Sequence, residues 1–175
     1  NLEPVPNLFA LLDHNRPMAR NLQVALSDRT SIAVFSHAIH PTLGEVFGNG
    51  SLTHAAAHRK ELEQADCSFE TFTVATISWR DFIKQESIEV VDLLVLDVEG
   101  HELTVLEGMR GADVMPAVMC VEFGHLGLGT VRTALRELGY EYDIQSHGNA
   151  YFVRRDLLGL FAFRRAAMGH ANPGI

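Results

Sequence analysis

Apolar residues recur at helical spacing from Pro4 to Asn15, at Val5, Leu8, Phe9, Leu11 and Leu12, and predict a first helix. Leu22 to Leu26 and Ile32 to Phe35 are short apolar runs around a polar Ser27-Asp28-Arg29-Thr30 turn, the pattern of two strands. Residues 37–68 hold Pro41, Gly44, Gly48, Asn49 and Gly50, then a polar helical segment from Ala55 to Gln64, and read as a surface excursion. Phe69 to Ile77 alternates as a strand. Ser78-Trp79-Arg80-Asp81 then fits a capping box, in which the Ser hydroxyl and the Asp carboxylate satisfy the first free amides of a helix over Trp79 to Gln85. Val90 to Leu96 is almost continuously apolar, as in a parallel strand covered on both faces. His101 to Glu107 predicts a helix with Leu103 and Leu106 inward, stopped near Gly108 and Gly111. Pro116 to Phe123 reads as a buried strand, and Val131 to Leu138 as an amphipathic helix closed by Gly139. Tyr140 to Gln145 and Tyr151 to Val153 flank a Ser-His-Gly-Asn turn, which predicts a hairpin and an antiparallel final strand. From Asp156 onward an apolar and basic tail predicts a last helix that frays at Asn172-Pro173-Gly174. The alternation predicts an α/β fold: a mostly parallel sheet with one antiparallel edge strand.

Composition narrows the partners. The chain has 175 residues, 47% hydrophobic and 21% charged, which suits one globular domain. Lys and Arg number 14 against 22 Asp and Glu, and no basic stripe exists to track a phosphate backbone, which argues against nucleic acid. The longest apolar runs fall short of the roughly 20 residues of a membrane span. Cys67 and Cys120 lack CxxC spacing, and no secretory leader precedes them, so a reduced, cytoplasmic protein is expected.

The ionisable residues concentrate where two buried strands run out. Asp97, Glu99 and His101 follow one; Glu122 and His125 follow the other. In an open α/β sheet, ligands bind beyond the carboxyl ends of the strands, and neighbouring strands lie only ~4.8 Å apart. The five groups are therefore expected to converge in one crevice. Glu102 reads as an exposed first-turn acid favoured by the helix dipole, and Gly100 and Gly124 as turn residues. His37, His40, His54 and His58 fall in the excursion. His54 and His58 are four apart on a helical segment, but no third ligand is evident, and they read as surface residues. Trp79 is expected to pack behind the capping box, and His147 to be solvated in the hairpin turn. No GxSxG, P-loop or HExxH occurs.

"LLVLDVEGHELTVLEGM", followed by "MPAVMCVEFGH", resembles the core of FkbM-type methyltransferases, S-adenosylmethionine-dependent enzymes of the class I methyltransferase fold. "LEPVPNLFALLDHN", "VALSD" and "VATISWRDFI" resemble further segments of that family in order and spacing, so the likeness covers most of residues 2–153. The resemblance implies a Rossmann-like, doubly wound, mostly parallel sheet with an antiparallel C-terminal hairpin strand. It implies Glu3 as the acid that binds the cofactor ribose, Ala25 and Leu26 beside the adenine, and Asp97 near the cofactor methionine and the acceptor. Glu99, His101, Glu122 and His125 would surround the acceptor, with His101 or His125 as general base. A divalent metal held by Asp97 and Glu122 is the alternative way to acidify a hydroxyl, not the preferred one, and no metal ligand is assigned.

Two departures stand out. Ser78 replaces the Asp usual in the family's "TLD" segment. Residues 1–43 contain no glycine, so the first strand and the glycine-rich cofactor loop of that fold are missing, and a single, N-terminally incomplete methyltransferase-like domain is expected. The implied function is O-methylation of a hydroxyl on a sugar, glycolipid or polyketide-like small molecule. The alternatives are a non-catalytic binding or scaffold domain that has lost the cofactor loop, and a metal-dependent enzyme of other chemistry.

Overall fold

A computed structural model describes residues 1–160. Helix α1, Pro6–Asn15, opens on a proline, whose fixed φ and missing N–H suit a first turn. Four strands follow in the first sheet: β1 (Ala25–Ser27), β2 (Ser31–Ile39), β3 (Gly50–Ser51) and β4 (Ser68–Ser78), in the order β1-β4-β2-β3. Helix α2, Ala56–Gln64, lies between β3 and β4, and α3, Trp79–Gln85, follows β4. The second sheet contains β5 (Leu93–Leu96), β6 (Val118–Glu122), β7 (Tyr140–Ser146) and β8 (Asn149–Arg154), in the order β5-β6-β8-β7. Helices α4 (Glu102–Gly108) and α5 (Leu128–Glu137) follow β5 and β6.

This architecture corrects the expected one. The chain forms two four-stranded mixed sheets, mostly antiparallel, instead of one doubly wound, mostly parallel, Rossmann-like sheet. Among the strands of the described residues, β1/β4 and β5/β6 pair in parallel, whereas β2/β4, β2/β3, β6/β8 and β7/β8 are antiparallel. The reason lies in the connections. A parallel crossover needs about a dozen residues or more, and residues 28–30 between β1 and β2 are too few. The chain therefore reverses, and β4 enters between the two strands, so that Thr76 is opposite Ala25 on one side and Ser31 on the other. The β7/β8 hairpin forms as its turn residues predict.

One core joins the two sheets. Leu26, Ile77 and Trp79 pack with Leu96, Val105, Leu106, Met119, Val121, Val131, Leu135 and Phe152, so α3, α4 and α5 bury their apolar sides against strands of both sheets. Burying such side chains contributes roughly 1.5–3 kcal/mol each. Two polar groups carried inward by large core side chains are satisfied: Trp79 Nε1 donates to Val114 O at 2.8 Å, and Tyr140 Oη to Pro116 O at 2.6 Å.

Three local readings change. Ser78 Oγ caps α3 by accepting from Asp81 N at 3.1 Å, but the Asp81 carboxylate binds the Thr30 hydroxyl instead of reaching back. Thr30 Oγ1 in turn accepts from Ser78 N at 3.1 Å, so the β1–β2 link completes the cap. Strand β5 is covered on one side only: Leu93 is 52% and Val95 62% exposed, whereas Leu96 is buried. The excursion over 37–68 contains β3 and α2, and α2 buries His58 and Leu62. Of the predicted C-terminal helix, the part beyond Leu160 lies outside the described residues. Among the described residues, no helix is long and apolar enough to cross a membrane.

The exposed side of β5 forms one wall of a groove of about 1010 Å³. Its opposite wall is built from Leu2, Glu3, Val24, Ala25 and Leu26. Leu2 is held there by a single parallel bridge to Leu22.

Candidate active site

The tip of β5 is shaped by a backbone that only a few residues tolerate. Asp97 ends the strand, Glu99 has φ +55°, and Gly100 has φ +97°. A non-glycine residue in the left-handed region costs of order 1–3 kcal/mol and persists only when its surroundings fix it. Glu102, in the first turn of α4, supplies that fixation. It is 0% exposed, and its Oε1 accepts from Val98 N at 3.1 Å and Gly100 N at 3.2 Å. The expected exposed first-turn acid is thus the buried staple of the turn. Its other oxygen, Oε2, is buried without a hydrogen-bond partner.

The excursion closes over the same turn. Ser51 Oγ donates to Val98 O at 3.0 Å, and a Cβ on Gly100 would meet Ala55 N at 3.0 Å, so α2 starts directly against the glycine. This docking inserts His58 beside the strand tips. His58 is 4% exposed, its ring stacks on His125 with 3.6 Å between centroids, and its Nε2 donates to Asn49 Oδ1 at 3.0 Å. The surface reading of His54 and His58 is therefore corrected: His54 is half-buried with Nε2 3.1 Å from Ser36 O, and the third partner missing from sequence spacing is Glu99, whose Oε2 is 3.7 Å from His58 Nε2.

Four of the five strand-end residues converge. His125 Nε2 donates to Glu99 Oε2 at 3.0 Å and is 3.5 Å from Glu122 Oε1. Carboxylate oxygens of Asp97, Glu102 and Glu122 lie within 4.8 Å of one another. His101 does not join them. As the residue before α4 it turns to the other side, with Nε2 3.0 Å from Ser27 Oγ. Ser27 donates its one proton to Asp28 Oδ1 at 3.2 Å and so accepts from His101 Nε2–H, which leaves His101 Nδ1 unprotonated.

Crowded acids and partial burial set the charges. Desolvation, with the neighbouring Asp97 and Glu99 carboxylates, pushes Glu122 up to about 7 against the opposing pull of His125. Desolvation also raises Asp97 and, together with the Asp97 charge, Glu99. Burial beside His125 and His54 pushes His58 down to about 4, and burial lowers His101 despite Asp28. Both imidazoles are therefore neutral near pH 7.

The residues expected around the cofactor fall on the groove. Glu3, Ala25, Leu26 and Asp97 all line it, as do Glu99 and His101, which were expected around the acceptor. Glu3 Oε1 accepts from Val5 N at 2.8 Å, and burial of the carboxyl raises its pKa.

The groove thus combines a largely apolar lining with the carboxylates of Glu3, Asp97 and Glu99 and the imidazole of His101. The Methyltransferase FkbM domain matches residues 1–142, and the chain belongs to that methyltransferase family. No curated protein and no solved structure matches the chain.

Proposed function

We propose that this protein transfers the methyl group of S-adenosylmethionine to a hydroxyl oxygen of a small molecule such as a sugar, glycolipid or polyketide-like compound. The observation that carries this reading is the groove. Glu3 and Asp97, the two acids expected to bind the cofactor, are both among its lining residues, with Ala25 and Leu26 beside Glu3. The groove volume, about 1010 Å³, is at the upper end of the range for small-molecule sites. Glu3 engages the Val5 amide with Oε1, which leaves Oε2 to accept from ribose hydroxyls. S-adenosylmethionine, when bound, supplies an electrophilic sulfonium methyl, so the chain's own work is alignment and proton removal. His101 suits the role of base: it lines the groove, is held by Ser27 through Nε2, and its Nδ1, though buried, has no hydrogen-bond partner in the protein. General-base assistance of this kind contributes ~10²–10⁴-fold. In this reading the Glu99–His125 pair, joined at 3.0 Å, and Glu122 orient the acceptor.

Calorimetric titration of the protein with S-adenosylmethionine and S-adenosylhomocysteine tests the reading. Binding is expected, with about 2.7 kcal/mol of added stability at ~100 times the dissociation constant, and both effects should weaken in Glu3→Gln. Absence of heat and of a thermal shift would overturn the proposal in favour of a scaffold domain.

A further inference from the structure

His58, Glu99 and His125 come from three separate segments, yet one ligand atom of each lies within 4.8 Å of the other two. Two ligands each about 2.0–2.1 Å from one tetrahedral ion are about 3.3 Å apart. The separations here bracket that figure: 3.0 Å from His125 Nε2 to Glu99 Oε2, 3.5 Å to Glu122 Oε1, and 3.7 Å from His58 Nε2 to Glu99 Oε2. At His125 the proton shared with Glu99 occupies the direction a cation would take, whereas the His58 Nε2 proton is directed to Asn49 Oδ1. The two rings stack 14° from parallel with centroids 3.6 Å apart, so coordination of one ion by both requires the rings to tilt out of the stack.

A second observation is independent of the histidines. Glu122 and Glu102 each have a buried Oε2 with no hydrogen-bond partner, and Glu102 is 0% exposed. Asp97 joins them in a second carboxylate group that shares Glu122 as a neighbour of His125. Among the described residues, the ion pairs formed by Glu99 and Glu122 are with His58 and His125 alone, and no Lys or Arg neutralises the cluster. Buried carboxylates with open lone pairs and no cationic side chain are an incomplete electrostatic arrangement.

We propose that His58, Glu99 and His125 bind a divalent first-row transition ion of the zinc or iron(II) type, with Glu122, 3.5 Å from His125, as the adjoining carboxylate. Two imidazole ligands beside carboxylates select such an ion over magnesium or calcium, which take oxygen ligands. His58 Nε2 donates to Asn49 Oδ1 at 3.0 Å, a hydrogen bond that coordination through this nitrogen would replace. Glu99 also lines the groove, so the ion lies at the acceptor end, where it would polarise the acceptor hydroxyl. That last role rests on the methyl-transfer reading; the site itself does not.

The experiment is a zinc titration of chelator-stripped protein against a chromophoric competitor, without S-adenosylmethionine. One saturable site per chain is expected, with affinity lowered at least ~100-fold in His58→Ala and in Glu99→Gln, and unchanged in the exposed-turn variant His147→Ala. X-ray absorption on the zinc-loaded parent protein needs no variant and should show two imidazoles with oxygen ligands. No saturable binding, binding indifferent to His58→Ala and Glu99→Gln, or sulfur in the coordination shell would overturn the site. Zinc binding by a protein that fails to bind S-adenosylmethionine would uphold the site and overturn the methyl-transfer reading alone.

Discussion

His101 and His125 each stand a few residues beyond a central strand, each with a glycine nearby, and they end up doing different things. At the β5 tip, the left-handed turn at Glu99 and Gly100 and the immediate start of α4 swing His101 towards Ser27. At the β6 tip, the chain makes a wider turn, with Gly127 N donating to Phe123 O at 2.8 Å, before α5 starts at Leu128. His125 therefore stays beside Glu122 and meets Glu99. The difference shows that backbone conformation, more than residue type, decides whether a strand-end histidine faces the groove or the acid cluster.

The largest expected effect separates the two imidazoles directly. His101→Asn should lower kcat by about 10²–10⁴-fold, whereas His125→Asn should lower it less and abolish zinc binding. Steady-state rates and competitor titrations on both variants measure this, and a greater rate loss in His125→Asn would exchange their roles.

Next in size is the carboxylate that shapes the β5 tip. Glu102→Ala leaves two buried amides without an acceptor, and should cost about 3 kcal/mol in denaturant unfolding. Glu122→Gln, at the other tip, relieves a crowded acid and should stay within about 1 kcal/mol of the parent in chelator. Equal losses at both tips would remove the distinction between a staple and a ligand.

Gly100→Ala should destabilise by roughly 2 kcal/mol, because its φ of +97° and the Ala55 backbone at 3.0 Å both oppose a Cβ. Since that contact positions α2, zinc affinity should fall alongside the unfolding midpoint. Retained affinity would show that His58 reaches the cluster without the docked turn.

The smallest effect tests an acid remote from both tips. Burial raises the Glu3 pKa, with the Val5 amide opposing. In the proposed function the ionised form accepts from ribose, so affinity for S-adenosylhomocysteine should be full well above the raised pKa and lost as pH falls through it. The decline should therefore begin at higher pH than for an ordinary glutamate near 4.3. Calorimetry as the pH is lowered from neutrality should show the fall in the parent and its absence in Glu3→Gln.

Element positions were legible because helix and strand periods are local. The segments read as α1, α2, α3 and β4 fall within a residue or two of the observed elements. Strand direction was not read correctly, although the three-residue β1–β2 link held the signal. Asp97, Glu99, Glu122 and His125 were recognisable from the paired strand ends. His58 was missed because a ligand set was sought within one helix, and the docking of α2 on Gly100 is a tertiary event. Glu102 was misread because the same first-turn position suits either a solvated acid or a buried one that reaches back to free amides.

Strand β5 is the end strand of its sheet, four residues long, with Leu93 and Val95 uncovered. A strand edge of this kind is a template on which another polypeptide can stack, and charged flanks are the usual gatekeepers against such growth. Asp92 and Asp97 bracket the strand and would repel their counterparts in any in-register stack of copies. A neutral residue at Asp97 should thus lower solubility as well as activity, with one carboxylate serving both the groove and the colloidal stability of the chain.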